Sequence, residues 1–302
     1  MPESDSVFGL VEGDLRQRRY TSAMMKLTTL SNNYSKDLKF LGLLAQTQKA
    51  LADFTSLIKT LQVRAALTQA CTDNLALMNM LYSQGRLNEA LDVALLLQEK
   101  DLSVSESRTL AHCLVKIYLE FNDYEGIQEV VAFYDEAAED DLMVWATGLV
   151  RLADGFKNEA LTLFRKSVGI NGLNDQAWVS LSLLHEEMGD RELALANLEK
   201  ALDVNPNNAT GLKLMTKWHP RDAEQTKNVM SKVRHYLSQY EFDEEISLCH
   251  MQMLTETNDM GSARFEIEKL VLNNPSNPKF VAMKTEIDMT MKKNSQDGMK
   301  TP

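Results

Sequence analysis

The sequence predicts an all-α fold, a solenoid of antiparallel helix pairs that ends in a C-terminal capping helix. Three observations support this prediction. The chain contains only 13 Gly and 6 Pro, with little clustering of β-branched residues, which favours helices over strands. Apolar residues recur at spacings of three and four through most of the chain, as on the buried face of an amphipathic helix. Two consecutive segments, 141–174 and 175–208, also correspond at five positions that share one period.

The match between these two segments has a period of 34 residues. Five pairs of positions share it: Gly148 and Ser182, Gly155 and Gly189, Ala160 and Ala194, Phe164 and Leu198, and Ser167 and Ala201. A helix pair of this size cannot bury its apolar face alone and must pack on its neighbours, which produces a solenoid. Trp145 lies one position out of register with Trp178, so we expect its side chain to face differently.

Taken in order, the chain divides into six predicted segments. They are a polar N-terminal segment at 1–14, a repeat array at 15–208, a degenerate repeat or hinge at 209–243, a further repeat at 244–277, a capping helix at 278–292 and a disordered tail at 293–302. Apolar stripes predict individual helices at 38–50, 52–66, 73–83, 87–99, 209–218, 221–240 and 278–292, and a helix-pair unit at 108–140. Pro206 and Pro275 close their units, because proline lacks the N–H that a helix needs and clashes with the preceding turn.

Segment 175–208 resembles a tetratricopeptide repeat. The residues that carry the resemblance are Trp178, Leu181 and Leu184 in the first helix, the turn Gly189-Asp190, Ala194, Leu198 and Ala201 in the second helix, and the closing Pro206. Two positions depart from the family pattern, with Ser182 in place of glycine and His185 in place of tyrosine. The resemblance implies a right-handed superhelix whose concave face is lined by the first helix of each pair, and it implies a protein-binding function.

The resemblance also implies which side chains face the concave groove. In this family they tend to be the second, fifth, ninth and twelfth residues of each first helix. The predicted partner-binding positions are Leu75, Asn79, Tyr82, His112, Lys116, Leu119, Trp145, Leu149, Leu152, Val179, Leu183 and Glu186, with Leu248, Gln252 and Thr255 in a farther unit. The central trio Trp145, Leu149 and Leu152 suits an amphipathic helix or a hydrophobic peptide. Two alternatives are that this trio packs against a neighbouring repeat or is covered by the protein's own N-terminal segment.

The residues indicate no catalytic chemistry. His185-Glu186 begins like the zinc motif HExxH, but Gly189 stands where the second histidine is required. There is no P-loop, dinucleotide-binding fingerprint or nucleophile elbow, and the five histidines are scattered along the chain. The three cysteines are far apart without a CxxC pair, which argues against disulfides and zinc. We predict that the protein is not an enzyme and has no catalytic residues, metal or cofactor; an enzyme built on a helical scaffold is the alternative.

Charge and hydropathy narrow the range of partners. The net charge of −11 argues against binding to nucleic acid or to anionic membranes, which requires clustered cations. The acidic run 135–141 is interpreted either as a solvated loop whose carboxylates favour the start of the next helix, or as a contact for a basic partner segment. No apolar stretch is long enough to span a bilayer and no secretion signal is visible, so we expect a cytoplasmic protein with reduced cysteines.

The sequence therefore predicts a non-catalytic scaffold or adaptor that binds a peptide or helix of another protein in its concave groove. The alternative is a chaperone or regulator of a bacterial secretion, pilus or motility apparatus, a role that bacterial members of the resembled family often fill. Expected partners are other proteins with an amphipathic or basic segment. Self-association through solenoid ends or convex faces is a further option.

Overall fold

The computed structural model describes residues 3–134, 137–219, 222–240 and 242–298. Within these ranges the chain forms α-helices and one short 3₁₀ turn, and no β-strand. The helices group into two compact units, Met1–Asp154 and Gly155–Pro302. Inside each unit every helix packs on the next one in the chain. The predicted fold class, an all-α succession of helix pairs with a final single helix, is confirmed.

The described residues of the first unit form nine α-helices. They are α1 (Glu3–Arg16), α2 (Tyr20–Tyr34), α3 (Leu38–Ala50), α4 (Phe54–Thr68), α5 (Cys71–Ser83), α6 (Leu87–Gln98), α7 (Val104–Phe121), α8 (Tyr124–Phe133) and α9 (Asp141–Ala153). The 3₁₀ turn, Ala137–Glu139, lies between the last two. Residues 135–136 of the predicted acidic run lie outside the described residues.

In the second unit, eight further helices lie within the described residues. They are α10 (Lys157–Ile170), α11 (Asp175–Glu187), α12 (Arg191–Val204), α13 (Ala209–Trp218), α14 (Ala223–Gln239), α15 (Glu244–Glu256), α16 (Met260–Asn273) and α17 (Pro278–Gly298). One apolar core runs through this unit from Val179 to Ile287. The segment predicted as a degenerate repeat or hinge forms the pair α13 and α14, and Leu212 and Val233 bury their side chains in that same core.

Short turns with defined chemistry join the helices of a pair. Gly189 adopts a φ of 82°, a left-handed conformation that glycine reaches without steric cost, and it allows the chain to reverse after α11. Asp190 then accepts a hydrogen bond from the Leu193 N–H at 3.1 Å and caps the N-terminus of α12. Gly85 and Gly155 adopt the same left-handed conformation at the corresponding turns.

Residues that are 34 positions apart in the sequence occupy equivalent buried positions in the structure. In α10 and α12, the paired positions Ala160 and Ala194 are fully buried, and so are Phe164 and Leu198. The small side chain of Ala194 allows α12 to approach α11 closely. Trp145 matches Val179 at the 34-residue period, and both side chains are buried. Trp178 is half-buried, and its Nε1–H donates to the carbonyl oxygen of Gly172 at 2.9 Å.

The two ends of the chain differ from the predicted segments. Residues 1–14 were predicted as a polar segment, whereas α1 begins at Glu3 and buries Phe8, Val11 and Leu15. These three residues follow the spacing of three and four that marks the buried face of a helix. At the other end, α17 continues to Gly298, beyond the predicted boundary at 292. The last part of the predicted tail, residues 299–302, lies outside the described residues.

A close contact between α7 and α8 leads to a stability prediction. A Cβ added to Gly126 would meet Cδ1 and Cε1 of the Tyr118 ring at 2.7 Å, so the ring would have to move. We expect Gly126→Ala to lower the free energy of unfolding by about 1–2 kcal/mol, because this overpacking exceeds the gain of about 1 kcal/mol in helix propensity. The measurement is urea unfolding followed by circular dichroism.

Gly9 in α1 provides the matched control, because a Cβ there meets nothing within 4 Å. Gly9→Ala should raise the free energy of unfolding by about 0.5–1 kcal/mol, through helix propensity alone. Changes of the same sign in both variants would contradict the proposed contact with Tyr118.

Candidate partner-binding groove

Several first helices of neighbouring pairs lie next to each other within a unit. In the first unit α5 contacts α7, and α7 contacts α9; in the second unit α13 contacts α15. Side chains on the shared face of α5, α7 and α9 therefore form one surface, and those on the shared face of α13 and α15 form another. This is the face on which the repeat geometry predicted the partner-binding residues.

In the first unit the predicted residues differ in how accessible they are. Asn79 and Lys116 are exposed, whereas Leu75 and Trp145 are buried, with Trp145 only 7% exposed. The others are half-buried: Tyr82, His112, Leu119, Leu149 and Leu152. The half-buried side chains can contact a partner without a change in the structure. The buried side chains of Leu75 and Trp145 instead take part in the internal packing of the protein.

His112 is held by an internal partner. Its Nε2 lies 2.8 Å from Oδ2 of Asp140, and the Nε–H of Arg108 donates to the same oxygen at 2.9 Å. The other Asp140 oxygen, Oδ1, accepts hydrogen bonds from the backbone N–H groups of Leu142 and Met143 and caps α9. Burial would raise the pKa of Asp140, but the hydrogen bond to His112, the nearby charges and the backbone donors together lower it below its ordinary value. His112 and Asp140 therefore tie α7 to the start of α9.

The predicted residues of α11 also divide by exposure. Val179 is buried in the core of the second unit, whereas Leu183 is 43% exposed. Glu186 is partly exposed, and its Oε1 accepts a hydrogen bond from Nη1 of Arg191 at 2.8 Å. Leu183 is thus the most accessible apolar residue of the predicted set in this helix.

A cavity of about 430 Å³ opens between α13 and α15. Its apolar lining comes from Leu248 and Met253, with the Cys249 thiol between them. Its polar lining comes from Lys213, Thr216 and Lys217 on α13 and from Glu245, Gln252 and Glu256 on α15. The residues from each helix follow spacings of three and four, so each set occupies a single helix face. The volume lies in the range of ligand sites, about 300–1,000 Å³.

A second cavity of about 150 Å³ lies on the other side of α15. Its lining is rich in methionine, and the complete set is Met251, Gln252, Thr255, Met260, Met283, Glu286, Ile287 and Thr290, from α15, α16 and α17. Gln252 borders both cavities, so the two openings flank one side chain of α15. Leu248, Gln252 and Thr255, which the repeat geometry placed in the groove, all line one or both cavities.

The α13 wall of the larger cavity was missed in the sequence analysis. Lys213 and Lys217 lie 34 residues after Val179 and Leu183, so they occupy the same repeat positions. Extending the groove rule across the irregular segment would have found them. The break at His219 obscured this register, because it makes α13 shorter than the neighbouring first helices.

The three cysteines have different environments. Cys249 and Cys71 are half-buried, whereas Cys113 is buried. Burial raises the pKa of the Cys113 thiol to about 11, so little thiolate forms there near neutral pH. Among the described residues no group of three or more His, Cys, Asp or Glu side chains could hold a metal ion. In the same part of the chain no helix is both long and apolar enough to cross a membrane.

Comparison with known families identifies the repeat. Residues 175–208 match the sequence model of the tetratricopeptide repeat. No curated protein sequence matches the chain. Residues 175–208 thus form a tetratricopeptide repeat, and the described helix pairs on both sides of it share its all-α fold. This repeat is a protein–protein interaction fold, so the match supports an interaction scaffold.

Solved structures share the fold at low sequence identity. A chain of the Cut9–Hcn1 hetero-tetramer of the APC/C is 10% identical over 81% of this chain and 48% of its own length, with a TM-score of 0.55. The present chain thus spans about half of that relative. A tetratricopeptide repeat protein from Parabacteroides merdae is 12% identical over 83% and 98% of the two chains, with a TM-score of 0.54. The pilF protein of Pseudomonas aeruginosa is 13% identical over 70% and 96%, with a TM-score of 0.51. These likenesses concern the fold alone.

Proposed function

We propose that the chain is an adaptor that holds a peptide or helix of another protein against the first-helix face of its repeats. The observation that carries this proposal is the 430 Å³ cavity between α13 and α15, on the face that the repeat geometry assigns to partners. An apolar floor of Leu248 and Met253 with polar groups around it is the usual composition of a recognition site. The floor would anchor a side chain of the partner, and the surrounding polar groups would select it.

The corresponding face of the first unit is proposed as a further contact surface. Its accessible members are Asn79, Tyr82, Lys116, Leu119, Leu149 and Leu152. In this proposal the buried Leu75 and Trp145 support those residues, and His112 orients the start of α9 through Asp140. In the second unit, Leu183 and Glu186 are proposed contacts and Val179 supports them from the core.

The test uses Cys249 as a chemical handle inside the larger cavity. Peptides are selected from a random display library against the full chain, and their affinities are measured by fluorescence anisotropy. A bulky maleimide is then attached to Cys249 in a Cys71→Ser background. We expect the affinity of the selected peptides to fall about tenfold or more, because the adduct occupies the volume that a partner side chain needs.

Labelling Cys71 in a Cys249→Ser background is the matched control, and it should leave peptide binding unchanged. The buried Cys113 should stay unmodified in both folded variants. The proposal fails if the library yields no binding peptide, or if selected peptides bind equally well with Cys249 blocked.

The second candidate function is a chaperone or regulator of a bacterial secretion, pilus or motility apparatus. It uses the same groove and differs in the identity of the partner. Copurification of an exported or membrane-associated client with the full chain would favour it. Loss of that client after Cys249 labelling would place the client in the groove.

A further inference from the structure

The larger and the smaller cavity, with Gln252 between them, together form a groove that we call the α13–α15–α17 groove. Its two ends carry opposite charges. Lys217 on α13 is exposed at the larger cavity, and it forms no ion pair with any residue that the structure describes. Glu286 on α17 is exposed at the smaller cavity and is likewise without an ion-pair partner in the described ranges. Lys213 differs, because its ammonium group contacts Oε2 of Glu245. The groove therefore has an available cation at one end and an available carboxylate at the other.

The apolar openings between these charges are unequal in size. The larger, about 430 Å³, has a floor formed by Leu248 and Met253. The smaller, about 150 Å³, is bordered by Met251, Met260 and Met283. Methionine is unbranched and flexible, so this second opening adapts to different small aliphatic side chains. A bulky side chain fits the first opening and a smaller one fits the second.

The spacing of the two openings can be derived from the width of a helix. They lie on opposite sides of α15 with Gln252 between them, and a helix with its side chains is about 10–12 Å across. Polyproline II conformation rises about 3.1 Å per residue with three residues per turn. In that conformation side chains three residues apart share one face and lie about 9 Å apart, which is close to the width of α15.

We infer that this groove binds an extended segment of a partner protein with a defined order of side chains. Read from α13 to α17, the order is an acidic residue, a bulky apolar residue, a smaller apolar residue three positions away, and a basic residue. The acidic group lies against Lys217 and the basic group against Glu286, while the apolar pair fills the two cavities. This inference rests on the proposed function and adds the chemistry of the partner.

The inference is tested with three pools of fluorescent peptides, measured by anisotropy against the full chain. The first pool has the pattern Glu-x-Phe-x-x-Leu-x-Lys, where x is Pro, Ala or Ser. The second pool carries Glu at both ends, and the third carries Lys at both ends. We expect the wild-type protein to bind the first pool about threefold more tightly than either like-charged pool at low salt, and the difference to shrink as salt is added.

Charge reversal at single positions should exchange these preferences. Glu286→Lys should prefer the pool with two Glu residues, because both ends of the groove are then cationic. Lys217→Glu should prefer the pool with two Lys residues. Both positions are exposed, so circular dichroism should show an unchanged fold.

An unchanged order of the three pools in the wild type and both variants would overturn the inference, and so would the failure of every pool to bind. The proposed function is judged separately, by the library-selected peptides and the labelling of Cys249. If those peptides bind and are displaced by the Cys249 adduct, the adaptor function stands even where the charge pattern fails. If the pools bind with Cys249 blocked, they occupy another surface and the inference is wrong.

Discussion

Replacing Asp140 with alanine should lower the free energy of unfolding of the first unit by about 3 kcal/mol. The carboxylate is 2% exposed and serves Arg108, His112 and two backbone N–H groups at once. Loss of a helix cap costs about 1 kcal/mol, and loss of hydrogen bonds to charged groups costs about 1.5–3 kcal/mol. In the variant, water can solvate the partly exposed side chains of Arg108 and His112. This limits the total loss of stability to less than the sum of the separate contributions.

The effect of Asp140→Ala should depend on pH. The pKa of Asp140 is lower in the folded state than its ordinary value. The carboxylate therefore stabilises the fold fully above the unfolded-state pKa, about 3.9, and this contribution is lost as the pH falls through the lower folded-state pKa. The difference in the free energy of unfolding between the wild type and the variant should be largest at neutral pH. It should become smaller as the pH is lowered into the acid range.

Urea unfolding at neutral and acidic pH, followed by the fluorescence of Trp145, measures this effect. A Trp178→Phe/Trp218→Phe background leaves Trp145 as the sole tryptophan, since the chain contains three. Asp53 provides the control, because it caps α4 in the same unit through the backbone N–H of Ser56. Asp53→Ala should cost about 1 kcal/mol. Equal losses in the two variants would show that the contacts to Arg108 and His112 contribute nothing.

Trp145→Ala should lower the free energy of unfolding by about 3–5 kcal/mol, because it removes a large buried side chain and leaves a cavity. The indole is 7% exposed, in contrast to the accessible contact residue that the sequence analysis predicted. A loss of binding in this variant would therefore follow from a weakened fold. Urea unfolding followed by circular dichroism measures the loss of stability.

Leu183→Asp is the complementary variant, because Leu183 is 43% exposed and its replacement should change stability by less than about 0.5 kcal/mol. Trp178→Ala controls for the size of the removed side chain at a half-buried position, and it should cost less than Trp145→Ala. If the midpoint of urea unfolding is the same for Trp145→Ala and the wild type, the indole does not support the packing of α9.

Much of the fold could be predicted because each helix pair repeats the same local chemistry. Ala194 and Leu198 mark the inner face of α12, and Gly189 marks its turn, so the helical boundaries follow from local residues. The first helix α1 was missed because three apolar residues are enough to anchor a helix of 14 residues when a neighbouring helix covers them. Their contacts are with α2 and α3, which the spacing of residues within the segment does not show.

The groove could be predicted by position along each helix but not by exposure. The repeat rule placed Trp145 and Leu149 on one helix face, and both lie in α9 as expected. A first helix packs on neighbours on both sides, so two residues of one face can differ in burial, as this half-buried leucine and buried tryptophan do. That outcome depends on how adjacent helices are placed, which the spacing of residues within one helix does not encode.

The floor of the larger cavity would connect the binding of a partner segment to the stability of the second unit. Met253 lines that cavity and is also buried in the core that extends through the second unit. A segment that binds only the folded groove raises the melting temperature of this unit in proportion to the logarithm of its concentration, by mass action. A genuine partner is thus recognisable by heating the unlabelled protein with it. In the cell, the same coupling would make the abundance of this protein follow the supply of its partner, since the unbound chain opens to proteases more often.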